Sequence, residues 1–260
     1  MPTAEISPSR LAVDLTPPFA RVILRHPPLN VIDIPMMEEL SRSLAAIDAH
    51  QDVSVIILTG DGKAFSAGVD VAAHTPDKVD EMLAKFHAII RALLATKKVS
   101  IAAVHGLCLG GGAELAMMSD MVYTTDSAQW GFPEIKLGCY PPVACTALAA
   151  LVGQKRAAEL ILTGREISGK EAAEIGLATR AVPDAELSAA VDETIEHLRH
   201  LSQAALALAK KASYAWDSMH FDKGLARAER IYFDDLMKTA DAREGIRAFI
   251  EKRKPKWTGK

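Results

Sequence analysis

The stretch from 100 to 118, SIAAVHGLCLGGGAELAMM, constrains the fold more than any other part of the sequence. It joins an apolar run of strand length to a turn at Gly106, then to three contiguous glycines, Gly110, Gly111 and Gly112, that open a helical pattern. Contiguous glycines let another group come close to the backbone, and a helix start leaves N–H groups without partners. The segment therefore predicts a strand–turn–helix unit able to receive something electron-rich. The same alternation fills the first half of the chain. Apolar runs at 11–15, 21–24, 53–58, 100–104 and 121–124 read as strands. Between them, 36–50 (Met36, Met37, Leu40, Leu44, Ile47) and 79–94 (Val79, Leu83, Phe86, Ile90, Leu93) carry the period of an amphipathic helix. An α/β protein follows.

After Pro142 the character changes to Ala-rich and charge-rich segments, which predict helices over 156–162, 169–175, 185–200, 204–216, 224–237 and 243–252, with a single strand at 178–182. The layout is an α/β core over residues 1–200 that holds the site, followed by a helical region over 201–260. The border is soft, with no Gly/Ser or Pro-rich linker and no internal repeat. Apolar positions on the late helices, such as Leu225, Ile231 and Leu236, exceed one narrow stripe and suggest an oligomer interface. At 260 residues the chain hides roughly three quarters of its unfolded surface and needs no metal or disulfide to hold it together. Cys108, Cys139 and Cys145 are an odd number and sit in or beside apolar runs, as buried thiols of a reducing compartment do. No stretch approaches a membrane span, and residues 1–10 lack the basic-then-apolar pattern of a secretory signal, so a cytoplasmic location is expected.

Several chemistries are excluded by their templates. Gly62-Lys63 is followed by Ala64, so there is no phosphate-binding P-loop; the contiguous glycines do not form G-x-G-x-x-G, and no G-x-S-x-G elbow occurs. The eight histidines show neither H-E-x-x-H nor a cysteine pair at metal spacing, and no metal site is expected. A formal charge of −3, without interleaved basic and aromatic residues, argues against nucleic acid as a partner. There remains a carboxylate, Glu114, in the first turn after the glycines, and a second, Glu134, at a turn after Phe132-Pro133. Glu114 can simply complement the helix dipole and Glu134 can be a solvated loop acid. Together, near an amide donor, they would suit proton transfer while an oxyanion is held.

Three ordered blocks, AFSAGVD at 64–70, IAAVHGLCLGGGAELAMMSD at 101–120 and FPEIKLG at 132–138, resemble the enoyl-CoA hydratase/isomerase (crotonase) superfamily. The likeness continues through GQKRAAELILTGREISGKEAAEIGL at 153–177 and EGIRAFIEKRKPKW at 244–257. The resemblance implies repeated β-β-α units forming two nearly perpendicular sheets, with C-terminal helices that pack a trimer, often doubled to a hexamer. It implies an acyl-CoA thioester substrate and no separate cofactor, coenzyme A being part of the substrate. By the same resemblance, the backbone N–H groups of Val69 and Gly111 form the oxyanion hole, Glu114 and Glu134 are the catalytic pair, and Ala67, Gly68, Asp70 and Gly110 line the acyl-CoA path. Both acids being present favours water addition over double-bond isomerisation.

Two departures stand out. Where many hydratases place a lysine after the Ala-Gly-x-Asp stretch, this chain has Val71, Ala72, Ala73 and His74, leaving Lys63 and the tail cluster Lys252, Arg253, Lys254 and Lys256 as phosphate candidates. After the P-E-I-x-L-G segment a Gly-rich stretch is replaced by Cys139, Tyr140, Pro141, Pro142, Val143, so a stiffened loop with Tyr140, Val143 and Trp130 as apolar walls is expected. LNVID at 29–33, VAAHTPDKVDEML at 71–83, LGCYPPVA at 137–144 and YFDDLM at 232–237 resemble one branch, the cyclohexa-1,5-diene-1-carbonyl-CoA hydratases; a general short-chain enoyl-CoA hydratase or an isomerase is the alternative.

Overall fold

The computed structural model describes residues 9–214 and 217–259. In chain order, a strand, a second strand and a helix follow one another four times. Leu11–Thr16 (β1) and Phe19–Leu24 (β2) lead to Ile34–Ala49 (α1). Val55–Gly60 (β3) and Ala64–Ser66 (β4) lead through a 3-10 turn, Val71–His74, to Val79–Ala95 (α2). Val99–Val104 (β5) and Leu107–Leu109 (β6) lead to Gly111–Met117 (α3). Met121–Thr125 (β7) and Gln129–Gly131 (β8) lead through a second 3-10 turn, Pro133–Leu137, to Pro142–Val152 (α4) and Gln154–Thr163 (α5). Glu166–Ser168 (β9), Gly169–Glu174 (α6) and Arg180–Val182 (β10) close the sheets, and Leu187–Arg199 (α7), Gln203–Ser213 (α8), Asp217–Asp234 (α9) and Ala240–Ile250 (α10) finish the chain.

The five longer strands and the short β10 form one sheet in the order β1-β2-β3-β5-β7-β10, antiparallel only at the β1–β2 hairpin. Its central strands are mostly apolar because both faces are covered. Ile56, Leu58, Ala102 and Val104 face the main core with α1 and α2. Their neighbours Val55, Ile57, Ile101 and Tyr123 face the other way onto Val191, Ile195 and Leu198 of α7. Each such buried aliphatic side chain contributes about 1.5–3 kcal/mol. Four other three-residue strands make a second sheet, β4-β6-β8-β9, in which β4, β6 and β8 run parallel.

The expected α/β class and two-sheet β-β-α architecture hold. The long strands and amphipathic helices fall within a few residues of their predicted positions. The helix expected over 204–216 is α8; residues 215 and 216, like 1–8, lie outside the described residues. Three expectations are corrected. The second half contains β9 as well as β10; β9 has a single buried side chain, Ile167, between Glu166 and Ser168, too little to show a strand period. The stretch after Tyr140 is a helix, α4, rather than a stiffened loop: Pro142 occupies its first turn, where proline has no N–H to lose. Cys108 and Cys139 are buried but Cys145 is exposed, since it follows Ala144 on the outward side of that helix. Among the described residues, no helix is long and apolar enough to cross a membrane.

Candidate active site

Three segments distant in sequence meet because β4, β6 and β8 are neighbouring parallel strands. Ser66 aligns with Cys108, and Leu109 with Gly131, so the residues that leave the three carboxyl ends emerge side by side. Carboxyl ends of parallel strands are where such sheets bind ligands. The first end supplies Ala67-Gly68-Val69, the second Gly110-Gly111 and α3, the third Pro133-Glu134.

Asn30 of the LNVID segment fixes the first end. Its Nδ2 donates to the carbonyls of Asp61 (2.8 Å) and Ala64 (2.7 Å), and its own carbonyl accepts from Ser66 Oγ (2.7 Å). Ser66 Oγ in turn accepts from the Gly68 N–H (3.1 Å). A parallel bridge then uses Gly68 O and Asp70 N on either side of Val69, at 2.9 and 3.1 Å from Ile32 N and O. That bridge leaves the Val69 N–H pointing away from it. Gly111, first residue of α3, has no intrahelical acceptor for its own N–H. Among the described residues no acceptor serves either group. The two backbones touch: a methyl added at Gly111 would meet Val69 Cγ2 at 2.5 Å and the Val69 nitrogen at 3.4 Å.

The two acids differ in support. Glu114, on α3, is 3% exposed, and its Oε1 accepts from the Ala144 N–H at 2.9 Å. That N–H lies in the first turn of α4, whose Pro141 cap has no side-chain acceptor, so the Glu114 carboxylate closes the helix start. Burial pushes its pKa up to about 7, against the lowering pull of the Ala144 and Val143 N–H groups. Glu134 has no comparable donor, and its buried Oε2 is without a partner. Burial first, then the charge of Glu114, pushes it up to about 8. Gly110 brings the strand end under this carboxyl, with φ of 51° and room for no side chain: a Cβ there would lie 2.6 Å from Glu134 Oε1.

Ala67, Gly68, Val69, Gly110, Gly111, Glu114 and Glu134 line one cavity of about 80 Å³. Asp70 stands outside that lining and caps the following turn through Ala72 N (3.0 Å). Lys63 is exposed on the rim of its loop, and in the tail Arg253 is tied to Glu244 and Glu251. Of the three expected walls only Tyr140 lines the cavity. Val143 is fully buried, and Trp130 packs in the core with Nε1 donating to Thr124 Oγ1 at 3.0 Å. The sequence reading missed the contributions of α2 (Met82, Leu83, Phe86) and of the C-terminal helices (Tyr232, Ile246). The inward period of α2 could have flagged the former. Tyr232 stood only inside the YFDDLM string. His74, last of the four residues that follow the Ala-Gly-x-Asp stretch, lines the cavity with Nδ1 3.0 Å from the Asp70 carbonyl, and burial lowers its pKa.

The arrangement can hold a carbonyl oxygen between two N–H groups while two buried carboxyls share protons beside it. The sequence profile of the family described as "Enoyl-CoA hydratase/isomerase" matches residues 18–260. The cyclohexa-1,5-dienecarbonyl-CoA hydratase of Thauera aromatica is 32% identical over 251 residues, 96% of this chain and 97% of that protein. A Rhizobium meliloti protein named "Probable enoyl-CoA hydratase" is 40% identical over 229 residues, 87% of this chain and 88% of that one. Among solved structures, an enoyl-CoA hydratase from Mycobacterium avium subsp. paratuberculosis superposes with a TM-score of 0.87 at 27% identity, covering 96% of this chain and 98% of that one. With fold, site motifs and full-length relatives in agreement, the chain belongs to the enoyl-CoA hydratase/isomerase (crotonase) family.

Proposed function

We propose that the chain adds water to an α,β-unsaturated acyl-CoA, with cyclohexa-1,5-diene-1-carbonyl-CoA as preferred substrate. The observation that carries this reading is the meeting of two buried, electrostatically coupled carboxyls with the unengaged N–H groups of Val69 and Gly111 on one cavity. The thioester oxygen accepts from both N–H groups. Glu114, whose charge the N–H groups of α4 favour, takes a proton from water; the water oxygen bonds to the unsaturated carbon, and the displaced electron pair collects on the thioester oxygen as an enolate. Glu134, which holds its proton at neutral pH, gives it to the α-carbon as the enolate collapses. Each oxyanion donor is worth about 3–4 kcal/mol in such a transition state. Raised pKa values near neutrality suit both proton transfers.

The cyclic substrate is supported by the Thauera aromatica relative, similar over nearly the whole chain, and by the aromatic rings of Phe86, Tyr140 and Tyr232 around the cavity, which suit a flat ring. The Rhizobium meliloti relative, named only as a probable enoyl-CoA hydratase, supports the alternative of a general enoyl-CoA hydratase. Following loss of conjugated thioester absorbance with crotonyl-CoA and with the cyclic dienoyl-CoA separates the two. No water gained by either substrate refutes the proposal, and a shifted double bond without added water identifies an isomerase. We propose further that the chain assembles as a trimer or hexamer. An apolar groove of about 730 Å³ beside α4, α5 and α9, with Leu151, Leu162 and Ile231 exposed along it, supports this, and light scattering tests it.

A further inference from the structure

Tyr232 carries the most telling unused group in the molecule. It sits in α9, is 1% exposed, and among the described residues its hydroxyl has no nitrogen or oxygen hydrogen-bond partner. A buried phenol normally finds one, since an unpaired polar group away from water is destabilising. Beside it lies the thiol of Cys139, a weak partner that interacts with the phenol and also donates to the Leu137 carbonyl at 3.8 Å. The residue lines the same cavity as Glu114 and Glu134, and the second partnerless oxygen of that cavity is Glu134 Oε2. The ring is held firmly. Tyr140 meets it edge-on at 5.2 Å, and one turn earlier Glu229 of α9 binds buried His87 at 2.7 Å and Arg91 at 3.2 Å on α2. Tyr140 is a useful contrast, because its own hydroxyl is satisfied by the Ala228 carbonyl at 2.6 Å.

A reacting water has two protons and two lone pairs. Glu114 takes one proton, the carbonyl oxygen of the protonated Glu134 can accept a hydrogen bond from the other, which stays on the product hydroxyl, and the unsaturated carbon takes one lone pair, which leaves a single lone pair to be fixed by a donor. We propose that the Tyr232 hydroxyl donates to that lone pair, so that it orients the attacking water and afterwards holds the new hydroxyl of the product. The inference rests on the hydratase reading and deepens it by naming a third polar group at the reacting oxygen.

The test is Tyr232→Phe, which removes one oxygen and keeps the ring. The variant is expected to fold and melt close to the parent, since the lost hydroxyl had only a thiol as partner. Its kcat should fall about tenfold or more on whichever of the two enoyl-CoA substrates the parent hydrates, with KM little changed. By calorimetry it should bind 3-hydroxybutyryl-CoA about 3- to 10-fold more weakly than the parent does, while butyryl-CoA binds equally well. Tyr140→Phe should leave that preference for the hydroxylated ligand intact. An unchanged kcat, an equal loss for both ligands, or a variant that fails to fold overturns the assignment; the last would mean the hydroxyl is needed by the free protein. Absence of hydration by the parent itself would instead refute the proposed function.

Discussion

Replacing Glu134 by Gln should move stability and activity in opposite directions. In the folded chain its carboxyl titrates near 8 rather than at its ordinary 4.5, because burial and the neighbouring Glu114 charge both disfavour the anion. The folded pKa lies above the unfolded one, so the native state binds the proton more tightly. The stability this confers is fully present below about pH 4.5 and is lost as pH rises through about 8. At about 1.4 kcal/mol per pKa unit, the cost of ionising this group in the fold has an upper bound of about 5 kcal/mol, and a realised value on the order of 3 kcal/mol allows for relaxation and water entry. Glutamine has nearly the same shape and cannot ionise. Urea unfolding at pH 5 should therefore find parent and Glu134→Gln nearly equal, whereas at pH 9 the variant should be the more stable by a few kcal/mol while hydrating its substrate orders of magnitude more slowly. A stability difference that does not grow between pH 5 and pH 9 would refute the view of Glu134 as a buried acid held in protonated form.

The rate profile for kcat/KM should be bell-shaped, falling on the acid side as Glu114 gains a proton below about 7 and on the alkaline side as Glu134 loses one above about 8; a rate rising steadily beyond pH 9 contradicts the roles assigned to them. Gly110→Ala places a methyl 2.6 Å from Glu134 Oε1 at φ of 51°, so it should cost roughly 1–3 kcal/mol of stability and at least 100-fold in kcat, measured by melting and by the absorbance assay. Glu114→Gln keeps an acceptor for the Ala144 N–H and should lose turnover with little loss of stability, whereas Glu114→Ala should lose turnover and also about 1–3 kcal/mol in urea titrations, as that N–H is left unpaired.

The strands at 53–58, 100–104 and 121–124 were legible because a strand covered on both faces is apolar along its whole length. Ala64–Ser66, Leu107–Leu109 and Gln129–Gly131 were not, since three residues cannot display a period and two of these lie between glycines and turns. The sheet that brings the site together is thus the part periodicity could not reveal; only the resemblance anticipated it. Glu114 and Glu134 stood out through their motifs, yet nothing in the spacing distinguished them. The difference arises from Ala144, whose N–H meets one carboxylate and not the other through the packing of α4. Tyr232 was invisible as chemistry because its surroundings come from the C-terminal helix folding back over strand ends encoded far upstream.

The side-by-side emergence of β4, β6 and β8 separates two tasks that many catalysts entangle. Amide donors and acids follow directly on strand ends locked by ladder bonds, in the first turns beyond them, whereas the rest of the cavity wall comes from α2, the turn at Tyr140 and the late helices. Those walls can be lengthened, recoloured or exchanged without disturbing the reacting centre, so a scaffold of this kind can acquire a new menu of thioesters while its chemistry stands still.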